Sequence, residues 1–275
     1  MLDRAHEPMT LALTCDRKPP KGSVGEHLAN IWRISARHLA DLRAAADGRK
    51  PRTGYDAPVD ILRGKAASGL ITMATGVAIV AIVMPLFLNP LWVAFEQERA
   101  QATAWTGYSE PQLRSATDAI LADLVLGPPN FDVVIDGQPV LNERERSHMG
   151  NVRGVFMGFF AVAAVLAVAA VIVAARLRAA GGPGRAWGAV RNGALGLIVA
   201  LGLVGVVAVV AFEALFEIFH QVFFPGGTYT FDPTTERLVQ LFPFQFWQET
   251  AVAVGVVAAV VAAVVAVVAH RRGHA

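Results

Sequence analysis

The chain has 275 residues, 54% of them hydrophobic and 17% charged, with a formal net charge of +2. One or two water-soluble domains would fit this length, but the apolar residues gather in four stretches, about 69–95, 154–175, 192–216 and 250–269. Each reaches the roughly 20 residues needed to cross a hydrocarbon core about 30 Å thick. This excludes a soluble fold, and the nearly balanced charge gives no nucleic-acid partner.

Residues 1–65 read as a cytoplasmic N-terminal tail. Between positions 26 and 47, Leu28, Ile31, Trp32, Leu39 and Leu42 recur at helical spacing with Arg33, Arg37 and Arg43 among them, which suits an amphipathic helix on a membrane surface. The flanking stretches are rich in Pro, Gly and charge. Cys15 is the sole cysteine, so no disulfide forms within the chain. The first span begins too late for a cleaved signal peptide and is expected to stay as an anchor.

Residues 66–275 are expected to form an all-α polytopic membrane protein, four transmembrane helices with a small mixed extracellular cap. Arg63 and Lys65 precede the first span, Arg176, Arg178, Arg185 and Arg191 lie between the second and third, and Arg271 and Arg272 follow the fourth. By the positive-inside rule these segments and both termini face the cytoplasm of a bacterial cell membrane. The more acidic loops 96–153 and 219–249 then build the cap outside.

In the first loop, Ser109 and Gln112 have the spacing of a helix-capping box with Pro111 in the first turn. Leu113, Thr117, Ile120, Leu121 and Leu124 follow as one apolar stripe. Phe131 to Ile135 and Gln138 to Leu141 read as two short strands joined by an Asp136-Gly137 turn. Asn142 and Glu145 then open a helix that carries His148 into the second span. Gly154 and Gly158 have the spacing that lets two spans approach closely.

The second loop starts where the third span ends. FEIFHQVFFPGGTYTFDPTTERLVQLFPFQFW, residues 216–247, holds eight phenylalanines, a tyrosine and a tryptophan around the single histidine His220. Pro225, Gly226 and Gly227 provide a sharp turn. His148 and His220 thus reach the same membrane boundary from different helices, where imidazole can exchange protons near neutral pH. Glu145 and Glu217 each precede a histidine by three residues and are candidates to orient its ring. Glu213 and Glu217 lie close to the apolar part of a span, where an acid usually has a reason to be. Phe219, Phe223, Phe224, Tyr229, Phe231 and Trp247 are expected to line the pocket or anchor the interface.

ERSHMGNVRG, FHQVFFPGGTYTF and LVQLFPFQFW, in this order, resemble the lipoprotein intramolecular transacylase family over roughly residues 70–270. The resemblance implies four transmembrane helices under an extracellular cap, with His148 and His220 as the catalytic pair at their junction and no cofactor. It also implies membrane-anchored diacylated lipoproteins as substrates. The reaction would move the sn-2 acyl chain of the diacylglyceryl group to the α-amino group of the N-terminal cysteine. The chain departs from the family pattern at Asn151, where aspartate is favoured, and at Tyr229, where tryptophan is.

Two other readings share these residues. Glu145-Arg-Ser-His148 and Glu217-Ile-Phe-His220 are both Glu-x-x-His, the spacing that supplies ligands to dinuclear metal sites in helical bundles. Such a site would need further carboxylates, from Glu96, Glu98 or Glu249. A lipoprotein-binding protein without catalysis would use the aromatic cleft alone.

Overall fold

A computed structural model describes residues 57–180, 183–224 and 226–274. The tail helix expected at 26–47, Cys15 and Pro225 lie outside the described residues. The elements are, in order, α1 (Ala57–Val83), a 3-10 turn (Met84–Leu86), α2 (Pro90–Arg99), α3 (Ala102–Thr106), α4 (Glu110–Val125), β1 (Val134–Ile135), β2 (Gln138–Pro139), α5 (Glu143–Ala179), α6 (Pro183–Phe223), α7 (Arg237–Leu241) and α8 (Phe244–His274).

Four helical segments, Gly64–Leu86, Glu143–Ala179, Gly184–Phe223 and Phe244–His274, are long and apolar enough to cross a membrane. Their outward faces carry Val165, Val168, Val171, Leu203, Val206, Val209, Val256 and Val260, all exposed. So continuous an apolar surface calls for lipid as its solvent. The chain is a membrane-integral, multi-pass protein.

The first apolar stretch is shorter than its hydropathy implies. Pro85 lies in the 3-10 turn, and Asn89 starts a new helix by accepting from Leu91 N and Trp92 N, with Pro90 at its first position. The span therefore ends near residue 86, and residues 90–99 belong to a separate helix, α2. Missing donors and a side-chain cap end one helix and begin the next here, whatever the hydropathy.

Packing among the spans relies on small residues. Ile79, Val83 and Phe87 meet Ala194 of α6 and Ala258, Ala262 and Ala266 of α8 in one cluster. Ile71 packs with Ala186 and Ala189, and the Thr72 hydroxyl donates to the Ala189 carbonyl at 3.1 Å. The tightest approach is at Gly193, where an added Cβ would collide with the Thr72 carbonyl and lie 2.8 Å from Thr75 Cβ. Gly154 and Gly158, the pair expected to bring spans together, have nothing within 4 Å of a built Cβ.

The cap has its own core. Leu113, Ala116, Ile120, Leu121 and Leu124 of α4 pack with Phe131, Val133, Val140, Leu141, Leu238, Leu241 and Phe242. The capping box of Ser109 and Gln112 is formed. The two strands pair antiparallel over only two residues each, Val134 opposite Pro139 and Ile135 opposite Gln138. Asp136 and Gly137 connect them with φ of 51° and 77°, the left-handed pair that a tight hairpin requires. Met149, next to His148, belongs to this same core, so the start of α5 is built into the cap.

Helix lengths set the depth of the site. At about 1.5 Å per residue the 37 residues of α5 extend about 55 Å, against a hydrocarbon core of about 30 Å. Arg176 and Arg178 occupy its last turn, so its first turns, with His148, stand in the cap.

Candidate functional site

The capping box that starts α5 is complete. Asn142 Oδ1 accepts from Glu145 N at 2.9 Å, and Glu145 Oε2 accepts from Asn142 N at 2.7 Å. The helix start is thereby fixed about one and a half turns from His148, a side chain only 5% exposed. α6 is interrupted at Ala211, with φ −146° and ψ 39°, and its last turns carry Phe212, Phe216 and His220. The turn after α6 uses Gly226 and Gly227 at φ of 94° and 69°, which only glycine adopts without strain.

These two helix ends bring the histidines together. The rings of His148 and His220 are stacked with centroids 6.1 Å apart and 18° between planes. Phe224 and Phe231 present edges to His148 at 4.8 and 5.3 Å. Around His220 stand Phe216 at 4.2 Å, Tyr229 at 5.0 Å, Phe219 at 5.4 Å and Phe224 at 5.5 Å. Of these, Phe224 is fully enclosed, whereas Phe219 and Phe223 are about half exposed, with Phe223 reaching the site through Phe219 at 4.9 Å. Trp247 touches Phe216 at 6.3 Å and stands one ring away from His220.

The hydrogen bonds distinguish the two imidazoles. His220 Nδ1 lies 2.7 Å from the Phe216 carbonyl. A carbonyl only accepts, so Nδ1 carries the proton and donates, and in the neutral ring Nε2 keeps its lone pair. His148 Nδ1 is buried without a hydrogen-bond partner. A polar atom in that condition is costly unless something else completes it.

Neither glutamate three residues upstream contacts its histidine by a hydrogen bond. Glu145 is 1% exposed and spends its second oxygen on Leu238 N at 2.6 Å, joining the starts of α5 and α7. Glu217 is exposed and accepts from the Tyr229 hydroxyl at 2.7 Å and from Gln221 Nε2 at 2.9 Å. That bond to Glu217 pushes the Tyr229 phenol up. Asn151 and Glu213 are exposed and do not join the cluster. Among the described residues no three His, Cys, Asp or Glu side chains converge as a metal site. Glu145 is committed to two backbone amides, which removes it from the expected Glu-x-x-His ligand set.

Several contributing residues were not singled out in the sequence. Phe216 supplies both the carbonyl for His220 and its nearest ring; its signal is the i−4 spacing. Arg144 and Glu236 meet at 2.5 Å, and Glu236 also accepts from Asp232 N at 2.6 Å and from Asn142 Nδ2 at 3.3 Å. Burial pushes the Glu236 carboxyl up, but Arg144 and the other donors outweigh it and hold it below the usual range. The Arg144 guanidinium also covers the Phe231 ring at 4.8 Å, and so presses the loop onto His148. A pair 92 residues apart in sequence leaves no local pattern to find.

Comparison with known proteins agrees with this architecture. The family profile described as lipoprotein intramolecular transacylase Lit matches residues 68–247. Comparison with curated proteins returns no match. Among solved structures, the membrane-integral lipoprotein intramolecular transacylase Lit from Bacillus cereus superposes with a TM-score of 0.64 at 14% identity, covering 76% of this chain and 95% of that one. A variant of it with a histidine replaced by arginine gives 0.63 at 15% identity over 79% and 95%. Another, with a histidine replaced by alanine, gives 0.62 at 15% identity over 78% and 96%. At such identities the superposition speaks for a shared fold, and the profile match, which spans well over half of the sequence, decides the lineage. The chain belongs to the family of lipoprotein intramolecular transacylases.

Proposed function

We propose that this protein moves the sn-2 acyl chain of a diacylglyceryl lipoprotein onto the α-amino group of the lipoprotein's N-terminal cysteine, with His148 and His220 as the acid-base pair. The observation that carries this reading is the pair itself: two imidazoles from separate helices, 6.1 Å apart inside an aromatic enclosure, in a chain of this family. The site faces the extracytoplasmic side. Arg176, Arg178, Arg271 and Arg272 occupy the last turns of α5 and α8, at the opposite ends of these helices from the cap. That distribution supports cytoplasmic termini.

His220 serves as the base, since its Nε2 lone pair is free while Nδ1–H is held by the Phe216 carbonyl. It takes a proton from the cysteine ammonium, and the amine attacks the ester carbonyl to give a tetrahedral oxyanion. His148, whose Nδ1 has no protein partner, hydrogen-bonds the reacting oxygens. The bond from carbonyl carbon to glyceryl oxygen then breaks. Of the two protons that leave nitrogen, one goes to the glyceryl oxygen and the other to water. The product is an isomer of the substrate's free-amine form, with an N-acyl amide and a free sn-2 hydroxyl.

Nucleophile and ester reside in one molecule, so holding them in a near-attack shape can supply about 7–11 kcal/mol of the barrier. Phe216, Phe219, Phe224 and Phe231 provide apolar walls, Phe224 buried against both histidines, and such walls disfavour plain hydrolysis. The test is mass spectrometry of the N-terminal lipopeptide of a diacylated lipoprotein coexpressed in a host lacking N-acylation. An unchanged mass with one acyl chain relocated to nitrogen, lost in His148→Ala and in His220→Ala, is the expected result. A diacylglyceryl peptide that stays unaltered with the wild-type protein refutes the reading.

A further inference from the structure

Asn142, Glu143, Arg144, Ser147 and Thr228 line an open cleft of about 550 Å³ between the first turns of α5 and the turn that follows α6. Arg144 of this lining stands 4.8 Å over the Phe231 ring, whose centroid lies 5.3 Å from that of His148. Ser147 directly precedes His148, and Thr228 directly precedes Tyr229, whose ring stands 5.0 Å from His220. Glu143 and Arg144 lie further towards the start of α5 than His148, away from the apolar spans. The lining has no apolar side chain.

Unused hydrogen-bonding groups collect here. The Thr228 hydroxyl is buried and has no partner, a condition that native structures resolve with a ligand or an ordered water. Ser147 is exposed. Arg144 uses one terminal nitrogen on Glu236 and remains about half exposed. Among the first amides of α5, that of Glu145 is taken by Asn142 Oδ1, while those of Glu143 and Arg144 have no intrahelical acceptor.

Resting on the acyl-transfer reading above, we propose that this cleft binds the main chain of the two or three residues that follow the modified cysteine of the substrate. When the cysteine amine sits at the histidines, the acyl chains lie towards the spans and the polypeptide must depart on the other side. The cleft is the opening found there. Two or three extended residues, at about 3.4 Å each, fit within a cleft of about 550 Å³. An open lining with two hydroxyl groups, one amide, one cation and one anion suits peptide amides and carbonyls of many sequences rather than one side chain.

The test compares kcat/KM for a synthetic diacylglyceryl-cysteine amide with peptides extended by one to five residues, using the full-length protein in nanodiscs. Wild type should gain rate up to the third added residue and no further. Thr228→Val should reduce that gain about fivefold without lowering the unfolding temperature, because the hydroxyl makes no internal bond. Ser147→Trp should fill the cleft and bring the ratio of extended to unextended substrate towards one. If Ser147→Trp does not fold, Thr228→Val decides. Equal rates at every length in the wild type, a gain that continues to the fifth residue, or an unchanged gain in Thr228→Val overturns the inference while leaving the acyl-transfer reading in place. A wild-type protein that converts none of the peptides overturns both.

Discussion

Replacing Glu145 separates two roles for a buried acid, a latch between helix starts and an orienter of the histidine one turn away. Its side chain is 1% exposed and accepts from Asn142 N at 2.7 Å and Leu238 N at 2.6 Å. In Glu145→Ala the Leu238 amide is left buried without an acceptor, costing about 1–3 kcal/mol. Loss of one arm of the capping box adds about 0.5–1 kcal/mol. The sum, about 1.5–4 kcal/mol, is a large share of the roughly 5–15 kcal/mol that holds a typical domain together. Glu145→Gln keeps an acceptor oxygen but loses the charge, and should cost about half as much. Unfolding in mild detergent, followed by tryptophan fluorescence, measures both. The fraction that remains folded should keep the wild-type dependence of rate on pH, because no hydrogen bond links Glu145 to His148. A variant with unchanged stability but a shifted pH–rate profile would refute this reasoning and restore the orienting role.

Three other outcomes follow from particular contacts. Glu96 is 3% exposed, and burial, then the hydrogen bond and charge of Glu249, lift its carboxyl to about 7 against the opposing pull of Arg99. The folded chain therefore holds this proton where the unfolded chain releases it, and stability should fall as pH rises from about 4.5 through 7. Glu96→Gln should remove that slope in unfolding measured against pH, and an unaltered slope counts against the assignment. Gly193→Ala should force α1 away from α6, because its Cβ collides with the Thr72 backbone; a loss of about 1–3 kcal/mol is expected from thermal unfolding. Tyr229→Phe keeps the ring beside His220 but removes the bond to Glu217, and kcat should fall by a few-fold with KM little changed.

Much of the architecture was legible because local chemistry decides it. Hydropathy identifies the spans, since lipid admits only segments whose backbone groups are satisfied internally. The capping boxes at Ser109 and Asn142 and the Asp136-Gly137 turn formed as their spacing implies, because each depends on residues within three positions of one another. The first span ends earlier than its hydropathy implies, because Pro85 and Asn89 override an apolar run. Gly154 and Gly158 have the right spacing but no neighbour, whereas Gly193 has the neighbour; a spacing on one helix does not say which face another helix will cover.

The number of apolar spans, the presence of a cap and the placing of His148 and His220 near helix ends can be read from the amino-acid order alone. Hydrophobic run length and helix-start chemistry are properties of short segments, and they suffice for that much. The stacking of the two rings and the lack of any partner for His148 Nδ1 depend on how distant segments meet. Tertiary contacts also turn Glu145 to the start of α7 and press Phe231 onto His148 through Arg144 and Glu236. These contacts join residues up to 94 positions apart. Their partners are chosen by how the cap loops fold over the helix ends, and no local rule encodes that choice.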